Sequence, residues 1–112
     1  MEIMMQKADR FVDVAALSDL REGEGTIVFV GIRRLALFLV GEEVHCIDNR
    51  CPHAGGFLGY GAQKGCRIRC PRHDWVFNLE TGECETDPRY ELKRFEVRIE
   101  EGRVLVGVPK EY

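Results

Sequence analysis

The chain has 112 residues, which fits one domain, since about 150 residues per domain is typical. Its 16 Lys and Arg against 19 Asp and Glu give a net charge of −3, which argues against a general nucleic-acid binder with a basic face. A hydrophobic content of 45% excludes a disordered chain. The 5 cysteines stand out, because an odd number cannot all pair.

No segment of the sequence predicts export or membrane insertion. The first ten residues carry four charges and lack the apolar core of a signal peptide. The longest apolar stretches, residues 26–32 and 35–40, are far shorter than the roughly 18 residues that indicate a membrane span. We therefore expect a cytoplasmic protein with no membrane partner, in which cysteine thiols stay reduced.

Alternating apolar and polar residues predict strands at both ends of the chain. The predicted strands are residues 11–14, 26–30, 34–40, 43–48, 94–100 and 104–108. Residues 18–23 are predicted as a helical turn or loop, and tight turns are predicted at 41–42 and 101–102. In the strand 94–100, Phe95, Val97 and Ile99 are expected on one face. No window of ten residues shows helical periodicity, so the fold class is all-β, a small sandwich or barrel.

The middle of the chain differs from both ends. Residues 49–65 contain five glycines, a composition that seldom forms regular strands. The stretch is also long for a structureless loop, and such loops are usually functional. A bound metal centre would offset the entropy cost of ordering it.

Two short motifs frame this region, Cys51-Pro52-His53 and Cys70-Pro71-Arg72-His73. Each sits at a predicted strand end and supplies one thiolate and one imidazole. Two sulfur and two nitrogen ligands suit zinc or an iron–sulfur cluster. Zinc fingers usually pair Cys with Cys and His with His. One Cys and one His in each loop is instead the arrangement of a Rieske centre, in which two His replace two Cys on one iron.

The motifs resemble those of the Rieske family. Residues 51–56 and 70–75 are similar to its two cluster-binding loops, residues 77–82 resemble the strand and turn that follow, and Gly59 and Gly61 match family glycines. The resemblance covers roughly residues 27–108. It implies a single Rieske domain, residues 1–112, with a cluster-binding subdomain inserted at about 46–84. It also implies a 2Fe–2S cluster held by Cys51, His53, Cys70 and His73, with the transferred electron on the iron that the two histidines hold.

Two absences refine this resemblance. Neither loop has the extra Cys of the high-potential members, and the serine after their second loop is missing. The chain is thus similar to the soluble low-potential ferredoxins of ring-hydroxylating oxygenases, and we expect a reduction potential of about −150 mV. The chain departs from the family pattern at Asp74, which replaces a glycine, and at Phe57, which replaces a proline. A buried Asp74 carboxylate would lower the potential, whereas a solvated one would change it little.

Other residues near the motifs have two interpretations each. Cys46, Cys66 and Cys84 are expected as small apolar residues in or near the core, and His45 as a surface or packing residue. Three apolar residues could form a rim that shields the cluster and docks partners: Phe57, Pro71 and Trp75. Trp75 fits a place in the core equally well. Four arginines lie near the loops and are interpreted either as a solvated face or as a docking patch for an acidic partner: Arg50, Arg67, Arg69 and Arg72.

The sequence contains no nucleophile–base pair and no Gly-rich phosphate loop, so we predict an electron carrier rather than an enzyme. The resemblance implies a ferredoxin that takes single electrons from an NAD(P)H-dependent flavoprotein reductase and passes them to a terminal oxygenase. One alternative is the Rieske-type small subunit of a nitrite reductase. Another is a zinc-stabilised interaction module.

Overall fold

The alternation at the two ends of the chain forms antiparallel strands in the computed structural model, which describes residues 5–53 and 55–112. Residues 1–4, part of the segment that lacks a signal-peptide core, and Ala54 of the first motif lie outside the described residues. The described part of the chain contains ten strands: β1 Arg10–Ala16, β2 Thr26–Val30, β3 Arg33–Val40, β4 Glu43–Asp48, β5 Ala62–Lys64, β6 Arg67–Arg69, β7 Val76–Asn78, β8 Arg94–Phe95, β9 Val97–Glu100 and β10 Arg103–Val108.

The helical content is limited to single turns. Short 3-10 turns lie at Leu17–Asp19 and Leu58–Tyr60, and the described residues include no α-helix. Within residues 5–53 and 55–112, no helical segment has the length and apolar character needed to cross a bilayer. The all-β prediction is confirmed, and the first 3-10 turn lies where a helical turn or loop was expected.

The strands form three antiparallel sheets. Strands β2, β3, β4 and β8 form a four-stranded sheet, β1, β10 and β9 form a three-stranded sheet, and β5, β6 and β7 form a second, smaller one. The small sheet lies in the segment between β4 and β8, two strands that pair with each other. We call residues 49–93 the inserted segment.

The four-stranded sheet is buried on both faces. Successive side chains of a strand point to opposite faces, so alternate residues of β3 contact two separate cores. Leu35 and Leu37 pack with the three-stranded sheet of β1, β10 and β9, whereas Ala36 and Phe38 pack against the inserted segment. All four are at most 1% exposed. The inserted segment therefore packs on one face of this sheet, and the three-stranded sheet packs on the other.

The predicted strand 94–100 is in fact two strands, and this part of the prediction was wrong. Strand β8 pairs with β4, whereas β9 pairs with β10 in another sheet. The chain changes sheets at Glu96, whose carbonyl accepts the Gly107 amide at 2.8 Å. Phe95 is consequently 2% exposed and Ile99 is 43% exposed, so these two side chains do not share one buried face.

The glycine-rich middle also contains more regular structure than the sequence indicated. Strand β5 lies within residues 49–65, between the 3-10 turn Leu58–Tyr60 and β6. Its partner β6 is buried at Ile68 and pairs with β7 on the other side. The prediction of an irregular middle was therefore wrong for β5, because pairing with β6 stabilises a strand that has little propensity of its own.

Candidate metal centre

The first Cys-His loop begins three residues after β4 ends. Its backbone folds back on Cys51, whose amide donates to the carbonyl of Gly56 at 2.8 Å, while the Gly55 amide donates to the Cys51 carbonyl at 2.9 Å. Gly55 has a φ of +72°, a conformation that glycine adopts without strain. These two hydrogen bonds therefore hold the backbone of Cys51 against Gly55 and Gly56.

The second loop, directly after β6, repeats this geometry. The Cys70 amide donates to the carbonyl of Trp75 at 2.8 Å, and the Asp74 amide donates to the Cys70 carbonyl at 2.9 Å. Asp74 has a φ of +60°, at the position that Gly55 takes in the first loop. Each cysteine is thus held by an equivalent pair of backbone hydrogen bonds, although the two loops, aligned from their cysteines, have only the Cys-Pro start in common.

The two loops lie against each other at Gly56. A methyl group built on Gly56 would lie 2.8 Å from the Cys70 sulfur and 3.0 Å from Cβ of Arg72. Both distances are shorter than ordinary van der Waals contact, so only glycine permits this approach. Gly56 consequently lets the backbone of the first loop reach the thiol of the second.

The four predicted ligands lie at different depths. The Cys51 and Cys70 side chains are buried, at 1% and 0% exposure, and His73 is exposed. The rings of His53 and His73 have centroids 5.2 Å apart with an interplanar angle of 76°. The structure therefore brings the two imidazoles together on the outer side of the two buried cysteines.

His53 supplies the test of whether a metal centre fits. Its Nδ1 atom is buried and has no hydrogen-bond partner among residues 5–53 and 55–112, a state that costs free energy unless something binds the atom. A metal ion satisfies a neutral imidazole nitrogen in this way. Two buried sulfurs and this imidazole nitrogen supply three of the four donors that a Rieske cluster needs. Among residues 5–53 and 55–112, no three His, Cys, Asp or Glu side chains lie close enough together to hold a single metal ion.

An aromatic group covers one side of the centre. Trp75 stacks on His53 with ring centroids 3.6 Å apart and an interplanar angle of 7°. Tyr90 contacts both rings edge-on, at 5.7 Å from His53 and 5.3 Å from Trp75. Trp75 also packs against the core, as one interpretation expected, and its part in docking a partner stays a prediction. Of the other predicted rim residues, Pro71 is exposed and Phe57 is 46% exposed.

Sequence reasoning missed two residues that shape the site. Tyr90 reaches the site from a turn in which Arg89 binds Asp87 at 2.7 Å and lowers the pKa of that carboxyl to about 2. Asn49 is buried, and its Oδ1 accepts the Gly59 amide at 2.8 Å. The local sequence gives no signal for Asn49, because the charged residues Asp48 and Arg50 flank it. For Tyr90, 37 residues from His53, nothing in the local sequence gives one.

The four predicted arginines do not form one patch. Arg67 makes an ion pair with Glu85 at 2.9 Å, and Arg69 lies exposed on the same strand. Arg72 lies in the second loop beside Gly56, whereas Arg50 lies against Gly55 of the first. The solvated-face interpretation therefore fits Arg67 and Arg69, whereas Arg50 and Arg72 lie at different loops.

The remaining cysteines and His45 have structural positions. Cys46 and Cys84 are buried and Cys66 is half-buried, all three as thiols, and burial raises the pKa of both Cys46 and Cys66. His45 is half-buried, and burial followed by the Arg94 charge lowers its pKa. Its Nε2 lies 3.6 Å from Glu43, beyond hydrogen-bonding length. These positions agree with the packing roles expected from the sequence.

Comparisons with known proteins place the fold and the motifs in one family. The model of the Rieske [2Fe-2S] domain matches residues 10–96. The ferredoxin component of the naphthalene 1,2-dioxygenase system of Pseudomonas putida is 34% identical over 100 residues, covering 88% of this chain and 96% of the relative. That of the alkene monooxygenase system of Xanthobacter autotrophicus is 35% identical over 106 residues, covering 90% and 86%.

A longer relative contains a similar segment. Human apoptosis-inducing factor 3 is 34% identical over 99 residues, which cover 88% of this chain. The chain spans only 16% of the length of that protein.

Solved structures give the same result. The ferredoxin of Sphingomonas yanoikuyae B1 superposes with a TM-score of 0.82 at 30% identity, covering 89% of this chain and all of that one. A structure of reduced oxygenase with oxidized ferredoxin in carbazole 1,9a-dioxygenase matches with a TM-score of 0.79 at 34% identity, covering 87% and 92%. The small subunit of a putative NADH-dependent nitrite reductase from Mycobacterium tuberculosis reaches 0.79 at 26% identity, covering 89% and 96%. The chain belongs to the Rieske [2Fe-2S] family, and its cofactor is a Rieske 2Fe–2S cluster.

Proposed function

We propose that this chain is a ferredoxin-type electron carrier, not an enzyme, in which Cys51, His53, Cys70 and His73 hold the cluster. When bound, the cluster supplies one-electron redox chemistry. The observation that carries the proposal is the gradient of exposure across the site, from two buried cysteines to the exposed His73. An electron held at the imidazole end then lies beside the surface that a partner can approach.

The protein's own residues do three things in this scheme. The paired turns fix the two cysteine backbones, so that the sulfurs are oriented before the cluster binds. Gly56 allows the loops to approach each other. Trp75 covers one face of His53 and excludes water from it, while His73 stays open to solvent. Orientation and shielding of this kind tune the properties of a metal site.

The proposed partners are an NAD(P)H-dependent flavoprotein reductase as electron donor and a terminal oxygenase as acceptor. Relatives that match nearly end to end are ferredoxin components of oxygenase systems, and a ferredoxin 34% identical to this chain has been solved together with an oxygenase. We further propose a cytoplasmic location and one domain over residues 1–112, with the cluster-binding region at about 46–84. Neither nucleic acid nor a membrane has a part in this function.

One alternative function has a specific observation behind it. The nitrite reductase small subunit shares the fold at 26% identity, which favours a role as a subunit of that enzyme class. Membership of an iron–sulfur family leaves the zinc-stabilised module without such support.

Reconstitution tests the proposed function. The purified chain is mixed with NADH or NADPH, a flavoprotein reductase and a terminal oxygenase with its substrate, and product formation is measured. Product that requires the chain, and that is lost in the Cys70→Ser variant but kept in Cys66→Ser, is the expected result. Stable assembly with a sirohaem nitrite reductase, without transfer to any oxygenase, would favour the alternative.

A further inference from the structure

Four of the six large apolar side chains that are exposed among the described residues lie on one side of the first loop. Ile32 is 97% exposed, Phe29 58% and Phe57 46%, and Tyr60, 73% exposed, contacts Phe57 edge-on at 6.4 Å. The other two, Met5 and Ile99, line a different cavity. Apolar side chains that are exposed together mark interaction sites more often than scattered ones do.

Two of these side chains, Ile32 and Phe57, line a groove with a cavity of about 410 Å³. It runs from the turn between β2 and β3 to the residues that flank the first loop. We call it the Arg34 groove, and its defining residues are Ile32, Arg33, Arg34, Asp48, Arg50 and Phe57.

The groove is positively charged on a chain whose net charge is −3. It is lined by three arginines and by one acidic residue, Asp48, whose Oδ1 already accepts the backbone amide of Arg50 at 2.9 Å. None of the three arginines forms an ion pair with a described carboxylate. The net negative charge of the molecule therefore repels an acidic partner, whereas the arginines of the groove attract it. The partner is thus oriented so that its carboxylates face the groove.

Arg34 places a positive charge next to the exposed aromatic side chains. Its guanidinium lies 5.6 Å from the ring centre of Phe29 and 5.9 Å from that of Phe57. Arginine and aromatic side chains are enriched at the energetically dominant positions of protein interfaces. The groove thus matches a partner surface with an apolar centre and carboxylates around it.

The groove is continuous with the first cluster-binding loop. A methyl group built on Gly55 would lie 3.3 Å from Nη2 of Arg50, so this guanidinium rests on the loop backbone. Arg50 and Phe57 form an antiparallel bridge that closes the base of the loop. A partner seated in the groove therefore lies beside the residues that carry His53.

We propose that the Arg34 groove docks the electron donor, a flavoprotein reductase that presents carboxylates around an apolar centre. This inference rests on the proposed carrier function. The transfer moves one electron from the reduced flavin to the chain, and no covalent bond to the protein forms or breaks. The added electron makes the site beside the groove more negative, so an acidic partner binds the oxidised chain more tightly than the reduced chain. A donor must bind the oxidised form and release the reduced form, whereas an acceptor needs the opposite preference.

Stopped-flow reduction tests the groove directly. The oxidised chain is mixed with a flavoprotein reductase reduced by NADH or NADPH, and bleaching of the visible absorbance is followed at several salt concentrations. The variants are Ile32→Ser, Arg34→Gln and their combination. The controls are Ile99→Ser and Lys64→Gln, which make the same kinds of change outside the groove. Dithionite replaces the reductase in a second series, to show that each variant still accepts electrons.

The combined variant is expected to lower the second-order rate constant for reduction by about tenfold, the effect of losing one strong interface contact. The controls and the dithionite rates stay unchanged, and salt slows the wild type more than the Arg34→Gln variant. A combined variant that matches its controls overturns the proposal. So does an effect confined to transfer to the oxygenase, or tighter binding of the reductase to the reduced chain. A wild type that no reductase reduces refutes the carrier function itself, and the groove proposal with it.

Discussion

Asp74 shows how one residue can depart from the family pattern and still satisfy the backbone. The position requires a positive φ, which is +60° here, and Asp is among the few non-glycine residues that adopt this region readily. The sequence identified Asp74 as unusual, but it did not reveal the left-handed backbone behind the family's glycine. The structure also shows the side chain to be exposed, which favours the solvated interpretation of its charge.

The positive φ of Asp74 and its exposed carboxylate lead to one prediction about folding stability and one about the reduction potential. Replacement Asp74→Ala is expected to lower the free energy of unfolding by about 1 kcal/mol, because alanine is strained at positive φ, whereas Asp74→Gly is neutral or stabilising. Glu80→Ala, at another exposed acidic residue, serves as the control in denaturant unfolding.

Asp74→Asn keeps the backbone preference and removes the charge, so the reduction potential is expected to rise only slightly. A large rise would show that the carboxylate acts on the cluster.

At the scale of elements, the strands near the two ends could be predicted because alternation is a local signal. Strand β2 and strand β4 have the predicted bounds, and Glu101 and Gly102, both at positive φ, make the predicted turn before β10. The break at Glu96 was not predictable, because both halves alternate in the same way and only the change of sheet separates them. Strands β5 and β6 span three residues each, too few to carry a periodic pattern.

The site divides in the same way. The two motifs predict that Cys51, His53, Cys70 and His73 form one site, and the structure places the two histidine rings 5.2 Å apart. The stacking of Trp75 on His53 and the contact with Tyr90 were not predictable, because they depend on how the turn at residues 87–90 packs over the first loop.

The pairing of β1 with β10 contains an acid-sensitive contact. Arg103 binds both carboxylate oxygens of Asp13, with Nε 3.0 Å from Oδ2 and Nη2 2.9 Å from Oδ1, and this hydrogen bonding lowers the pKa of Asp13 below its ordinary 3.8. A lowered pKa in the folded state means that the ionised carboxylate contributes stability above about pH 4. That contribution is lost as the pH falls through the lowered pKa.

Replacement Asp13→Asn is therefore expected to reduce the acid-induced fall in the free energy of unfolding below pH 4. Denaturant titrations from pH 7 down to pH 3 measure this dependence, and Arg103→Gln should have the same effect. If the two replacements act through one contact, the double variant loses no more than either single variant. Additive losses would mean that the two side chains contribute separately.

Cluster binding is expected to stabilise the inserted segment more than the sheets at the chain ends. Metal binding contributes folding free energy where the ligands lie, and both loops belong to the inserted segment. In hydrogen exchange, Cys70→Ser should accelerate exchange in residues 49–75 first, while β1, β9 and β10 keep their protection. The control Cys66→Ser removes a half-buried thiol from the same segment. Uniform acceleration along the whole chain would contradict this expectation.

For the molecule as a whole, the charge supports a low reduction potential. The mildly acidic chain, with its net charge of −3, disfavours an additional electron. We expect a potential of about −150 mV, near the lower end of the Rieske range. A spectroscopic redox titration of the purified protein measures it, and a value well above zero would place the chain with the high-potential members.

We propose that Cys51, His53, Cys70 and His73 together hold one 2Fe–2S cluster. Iron and acid-labile sulfide analysis of the purified protein, read together with the EPR spectrum after reduction, tests it most directly. We predict two irons and two sulfides per chain, as the family's cluster requires, with a rhombic signal in the wild type and in Cys66→Ser. Both the metal and the signal should be lost in Cys51→Ser and Cys70→Ser. A colourless protein with one zinc per chain, or a cluster that survives loss of Cys70, would contradict the claim.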